Sequence, residues 1–254
     1  MRALYGTVQV TWGPREESPE ELGERLRFLL EELAPFSEFA RGPWTVLDGG
    51  RSGDVPSEEP SADDAVHRSD VRLDSLGEML AGRPRTDDRG RPWEGRGWSA
   101  ALYAGPAFEL HLSVGGGATQ PVRRVAFNRC TLTASEGFPE DAFRGFAESN
   151  LIAMVDAFEP HYGSAYSAVQ LEGEQTLGLR PRIGAVTYVA DDFARVPAEL
   201  EGATRARHHE GTLLRLDPKP GESLWTDTAP VERVVRQLDA LGWEPSLRDL
   251  SPRA

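Results

Sequence analysis

The sequence has a single cysteine, Cys130, among 254 residues. One thiol makes no intramolecular disulfide and no thiolate metal site, so a reducing compartment is expected. A chain this long buries roughly 70 to 75% of its unfolded surface and needs no covalent staples. Lysine is as scarce, since Lys219 stands alone among 28 basic residues; the arginine excess reads as the mark of a GC-rich genome rather than of anion recognition. Long apolar runs are missing too. The start, Met1-Arg2-Ala3-Leu4-Tyr5-Gly6-Thr7, lacks the roughly 7 to 15 apolar residues of a secretory signal, and no stretch approaches the roughly 18 of a membrane span. The expected location is the cytoplasm.

The apolar share is 39% and the charged share 27%, as in folded globular chains rather than disordered ones. Acids outnumber bases 41 to 28, for a net charge of −13. Such a balance repels nucleic acid and anionic membrane and attracts basic proteins over about a Debye length. Neither nucleic acid nor membrane is therefore expected as a partner. The plainer reading of the acidity is solubility.

Leu4, Tyr5, Val8, Val10 and Trp12 read as a first strand stopped by Gly13-Pro14. Ser18 and Glu21 form a capping box with Pro19 at the first helical position, and Leu22, Leu26, Leu29, Leu30 and Leu33 recur at helical spacing up to Pro35. Glu20, Glu24, Glu31 and Glu32 fall on the outer face of that helix. Trp44 to Leu47 reads as a strand, and the stretch 49–68 as a long, exposed acidic loop. Asp70 is placed to cap a short helix carrying Leu73, Leu76 and Leu80, followed by a linker-like crossing from Arg83 to Arg96. Trp98 to Tyr103 and Phe108 to Val114 read as strands, with a third marked by Val122, Val125, Phe127 and Leu132. Pro139, Glu140 and Asp141 open a long helix closed by Pro160. Ile183 to Ala190 and Thr212 to Leu216 read as late strands, and Val231, Val234, Val235, Leu238 and Leu241 as a last helix ended by Gly242. Short connections between strands imply antiparallel pairing. The expectation is an α+β fold, a mostly antiparallel sheet with helices packed on it, as a single domain over 1–250.

Chemistry-bearing patterns are sparse. His208-His209-Glu210 is the densest ligand-type cluster, but adjacent side chains point apart on a strand, and no HExxH or CxxC pattern accompanies it. A solvated turn is the reading. His67, His111 and His161 are isolated. Gly115-Gly116-Gly117 follows a strand as phosphate loops do, yet no Lys-Ser or Lys-Thr comes after it, so a flexible hairpin loop is expected. Asp87-Asp88 lies among arginines that offer surface ion pairs. No catalytic residue, cofactor site or metal site is assigned. What stands out is charge: Glu16 to Glu38 holds eight acids against Arg25 and Arg27, and Asp54 to Asp74 holds seven against Arg68 and Arg72. Glu20, Glu24, Glu31, Glu58, Glu59, Asp63, Asp64, Asp87 and Asp88 are the candidate partner-binding residues, able to steer a basic partner.

Four blocks carry a family resemblance. They are Trp12-Gly13-Pro14-Arg15-Glu16-Glu17-Ser18, then Gly82-Arg83-Pro84-Arg85-Thr86-Asp87-Asp88-Arg89-Gly90 leading to Trp98, then Phe158-Glu159-Pro160-His161-Tyr162, then Gly184-Ala185-Val186-Thr187-Tyr188-Val189. In order and spacing these resemble the immunity protein 52 family of bacterial polymorphic toxin systems, over most of residues 4 to 216. Ala185 stands where that family's block would carry a bulky aromatic, and the acidic loop is longer. The resemblance implies a protein that neutralises a cognate toxin, delivered by a contact-dependent or type VI system, whose warhead is a restriction-endonuclease-fold nuclease. A nuclease presents cations to phosphate, so an acidic inhibitor gains fast encounter and competes for that surface. The function expected is stoichiometric occlusion without catalysis, cofactor or small-molecule substrate. Two rivals remain: a small hydrolase or transferase drawing on His111, Asp87 and Asp88, and a scaffold module of a secretion or phage-like particle, marked by symmetric oligomerisation.

Overall fold

The capping box forms as its residues predict. In α1 (Pro19–Leu33) the Ser18 side chain accepts from the Glu21 N–H, while the Glu21 carboxylate accepts from the Ser18 N–H at 2.7 Å. The leucine stripe of α1 is buried throughout. These elements belong to a computed structural model that describes residues 4–36, 38, 40–47, 68–86, 90–93, 95–105, 109–119, 128–135, 140–167, 169–170, 180–247, 250 and 252.

The strands are β1 (Leu4–Trp12), β2 (Trp44–Leu47), β3 (Arg68–Asp70), β4 (Trp98–Ala104), β5 (Leu110–Gly116), β6 (Asn128–Ser135), β7 (Tyr162–Ser167), β8 (Val186–Ala190), β9 (Ala203–His208) and β10 (Gly211–Leu216). All join one ten-stranded sheet in the order β3-β2-β4-β5-β6-β1-β7-β8-β10-β9, and every pairing is antiparallel. Helices α2 (Leu76–Ala81), α3 (Glu140–Phe158) and α4 (Ala229–Ala240) accompany α1 and the sheet. The α+β expectation holds.

Period-two alternation sorts side chains onto two faces. On one face, Leu102, Leu112, Leu132, Val8, Ala165 and Val186 lie in register across six strands and enter a single core with the leucines of α1 and with Phe143, Leu151, Met154 and Phe158 of α3. Trp12 stacks on Phe158, ring centroids 4.9 Å apart. Cys130 is fully buried there, and burial pushes its thiol pKa well up, so it is a packing residue. Gly23 and Gly77 let α1 and α2 touch backbone to backbone: a Cβ on Gly23 would sit 2.6 Å from the Gly77 nitrogen. On the other face, Leu214, Leu216 and Val189 meet Val231, Val234 and Leu238 of α4 in a second core.

Several sequence readings need correction. Asp70 caps nothing, because it is committed to β3, paired with Thr45 of β2; a 3-10 turn, Leu73–Ser75, leads into α2 without a side-chain cap. The strand expected from Ile183 begins at Val186, after the Gly184 N–H donates to Thr187 Oγ1. The third strand is Asn128–Ser135, and of its expected markers only Leu132 lies in it; Val122, Val125, Phe127 and Phe108 lie outside the described residues. Gly115 to Gly117 is no flexible loop: Gly115 and Gly116 end β5 and are buried. A Cβ on Gly115 would meet the Arg85 guanidinium at 1.8 Å, and one on Gly116 would meet Leu22 at 2.7 Å. The crossing from Arg83 is likewise docked, with the Arg85 N–H donating to Gly97 O and the Trp93 N–H to Arg85 O, both at 2.9 Å. Among the described residues no helix is long and apolar enough to cross a membrane.

Candidate docking face and polar clusters

The block from Gly13 to Ser18 owes its residue types to a buried polar network. Arg15 donates to Glu17 Oε1 at 3.3 Å and to Phe158 O at 3.1 Å. Arg25 reaches the same Glu17 oxygen from α1, and Glu17 Oε2 accepts from the Gly117 N–H at 3.2 Å. Burial lowers the Arg15 pKa, opposed by the charge of Glu17. Asn128 donates to Gly13 O at 2.7 Å and accepts from the Ala118 N–H. His161 Nδ1 accepts from the Gly13 N–H, which leaves its proton on Nε2, 3.8 Å from Asp192. Each polar group ties the chain after β1 to the ends of β5 and α3, so the network is architectural.

With Arg25 drawn inward, the outer face of α1 is dominated by carboxylates. Glu20, Glu21, Glu24, Glu31 and Glu32 are exposed, and at 100° per residue they surround Phe28, which is itself 41% exposed. Arg27, the one exposed base in the helix, pairs with Glu24. Asp70, Asp74 and Glu78 are also exposed on the neighbouring segment, together with Leu73, and Asp74 is paired with Arg72. The expected partner-binding residues Glu20, Glu24 and Glu31 are thus brought together, whereas Glu58, Glu59, Asp63, Asp64, Asp87 and Asp88 lie outside the described residues, as does His67. The leucine stripe does not mark Phe28; the signal that finds it is its helical position, opposite that stripe and on the side of Glu21 and Glu24.

The bases gather elsewhere. Arg85 crosses β5 with Arg96 and Arg129 nearby, and burial together with those two like charges pushes its pKa down to about 10. Arg96 lies over the ring of Trp93, 3.9 Å from its centroid. His111 stacks on Tyr103 at 4.7 Å, and burial lowers its pKa. Among the described residues no carboxylate makes a hydrogen bond or ion pair with His111.

A second polar cluster joins distant parts of the chain. Asp156 of α3 has Oδ1 2.8 Å from Nε2 of both His208 and His209. The expectation that adjacent histidines diverge fails for a local reason. His208 closes β9 on the face toward α3, against Tyr188, and His209, in the turn, takes φ 47°, which swings its side chain back to the same side. The sequence offered no sign of Asp156, which lies 52 residues away.

No family model matches the sequence, and no curated protein matches it. The resemblance to the immunity protein 52 family therefore stands on its four blocks alone. Among solved structures, "Pseudomonas aeruginosa T6SS protein PA0821" is similar at 12% identity and TM-score 0.47, with the alignment covering 93% of this chain and 72% of that chain. A likeness that loose carries no function across.

Proposed function

We propose that this chain is an immunity protein that neutralises a basic toxin domain, of the nuclease class, by covering the surface with which that domain meets its substrate. The supporting observation is the outer face of α1, where exposed Glu20, Glu21, Glu24, Glu31 and Glu32 surround the exposed Phe28. An apolar anchor within an acidic rim matches what a nuclease offers, since a surface that holds phosphates is rich in arginine and lysine. The carboxylates supply long-range attraction and the ring supplies short-range desolvated contact. Masking consumes no substrate and needs neither cofactor nor catalytic residue. Because α1 is anchored by buried leucines and the capping box, the backbone that carries this face is set before binding, which lowers the entropy lost on association.

The test is to search the neighbouring genes for a secreted protein with a basic, nuclease-like C-terminal domain and to co-express that domain with this chain, reading growth protection and isolation of a one-to-one complex. Glu20, Glu24 and Glu31 changed together to Lys should leave the circular dichroism spectrum unaltered and slow association by about tenfold or more. A complex whose association is untouched by the triple reversal would overturn the docking face. Failure of any such toxin domain to bind or to be neutralised would overturn the immunity reading itself.

A further inference from the structure

We infer that Asp156, His208 and His209 form a binding site for a first-row divalent cation, zinc foremost, which pins the β9–β10 hairpin to α3. Their ligand atoms all lie within 4.8 Å of one another. Two imidazole nitrogens and one carboxylate oxygen make a donor set of intermediate softness, suited to zinc rather than to calcium or magnesium, which prefer all-oxygen shells. The separations fit as well. Bonds of roughly 2.0 to 2.1 Å in a tetrahedral shell place neighbouring ligands about 3.3 Å apart, so the 2.8 Å contacts from Asp156 to each imidazole need to open by only about half an ångström.

The hairpin turn supplies an independent observation. His208 pairs with Gly211 across the ladder, leaving His209 and Glu210 as the two turn residues. The first of these takes φ 47°, in the left-handed region where glycine is the undemanding choice and other residues are uncommon. A histidine held there aims its Nε2 at the same oxygen that its neighbour contacts, an arrangement that a solvated turn does not require. The surroundings are rigid: the Asp191 N–H donates to Glu210 O at 2.9 Å, Arg207 pairs with Asp191, and the ring of Tyr188 packs edge-on against His208. The cluster is open to solvent, with His209 61% and Asp156 33% exposed. An ion can enter without unfolding, and a coordination position is left for water or for a group of a bound partner.

The experiment titrates Zn²⁺ into chelator-treated, tag-free full-length protein by calorimetry, with Co²⁺ absorption in the visible as a second readout. Wild type should bind a single equivalent with a rise in melting temperature on saturation. Asp156→Asn preserves side-chain size and can still accept a hydrogen bond, and His209→Gly fits the positive φ, so both should fold. Each should weaken Zn²⁺ binding by more than the roughly 10- to 100-fold that loss of an outer-shell partner costs. Without metal, His209→Gly should melt at or above the wild-type temperature. The inference is overturned if wild type shows no saturable Zn²⁺ binding, or if binding survives in Asp156→Asn and His209→Gly with affinity unchanged.

Discussion

Arg25 turns its guanidinium inward to Glu17, with Nε 3.1 Å from the buried Oε1. The charge pattern of α1 therefore differs from its composition. A count along Glu16 to Glu38 sets Arg25 and Arg27 against the acids, yet Arg25 is spent on a buried carboxylate and on the Ala157 carbonyl, 2.9 Å away. The face that meets solvent keeps the segment's net charge but loses half its bases, with seven exposed carboxylates against Arg27 alone, which is paired with Glu24.

That buried carboxylate should matter for stability. Glu17→Ala leaves Arg15, itself buried, without its carboxylate at 3.3 Å and frees the Gly117 N–H. Breaking a buried pair from one side typically costs about 3 to 5 kcal/mol. Urea unfolding measures it, and a loss below about 1 kcal/mol, the scale of a solvated surface pair, would show that water reaches the network. Arg15→Met combined with Glu17→Leu should cost less than the sum of the single changes.

The leucine stripe gives a second stability prediction. Leu26 and Leu29 have no exposed surface, so Leu26→Ala or Leu29→Ala should cost roughly 2 to 5 kcal/mol. Thermal melts decide it: unchanged melting temperatures in both variants would mean that the stripe is not core.

Acid should act through Glu222. Arg233 forks onto it, at 3.0 Å to Oε1 and 2.7 Å to Oε2, and the Lys219 N–H also donates to it. The Arg233 hydrogen bonds, then the backbone one, hold its pKa down at about 2 against an ordinary 4.5. A depressed carboxylate stabilises the fold fully above its unfolded pKa, and that share disappears as pH falls from 4.5 toward 2. Stability measured across that window should fall less steeply in Glu222→Gln than in wild type, and parallel curves would assign the acid sensitivity to other groups.

What the sequence makes legible is local. The Ser18–Glu21 box and the leucine spacing specify α1 without reference to anything distant. β7 is hidden for the opposite reason: Tyr162-Gly163-Ser164-Ala165-Tyr166-Ser167 has no alternation of apolar and polar residues. Its place between β1 and β8 requires small side chains, since a Cβ on Gly163 would meet Leu151 and Val10 at 2.8 Å. β9 is hidden because Ala-Thr-Arg-Ala-Arg-His is an edge strand with an exposed side. Of the candidate sites, the acidic face follows from helical periodicity. The histidine cluster needs the tertiary fold, because only the packing of α3 beside the hairpin brings Asp156 within reach of the two histidines.

The last prediction separates the two parts of the proposed docking face. Carboxylates such as Glu20 and Glu31 are solvated and have no ion-pair partner among the described residues, so they act over a Debye length, before contact. Raising salt, or reversing their charge, should slow association of a basic toxin domain and change dissociation much less. Phe28 is uncharged and 41% exposed, so it can contribute only once water has been excluded. Phe28→Ala should leave association within about threefold of wild type and speed dissociation by about tenfold or more, as truncation of an aromatic anchor does. Lysines in place of Glu58, Glu59, Asp63 and Asp64 extend the comparison to the acidic stretch 49–68. Slowed association there would make it a second steering surface, whereas unaltered association would confine steering to α1. Kinetics by surface capture at several salt concentrations resolve the two rates. If Phe28→Ala alters association and the charge reversals alter dissociation, the assignment of roles on this face is reversed and the anchor lies elsewhere.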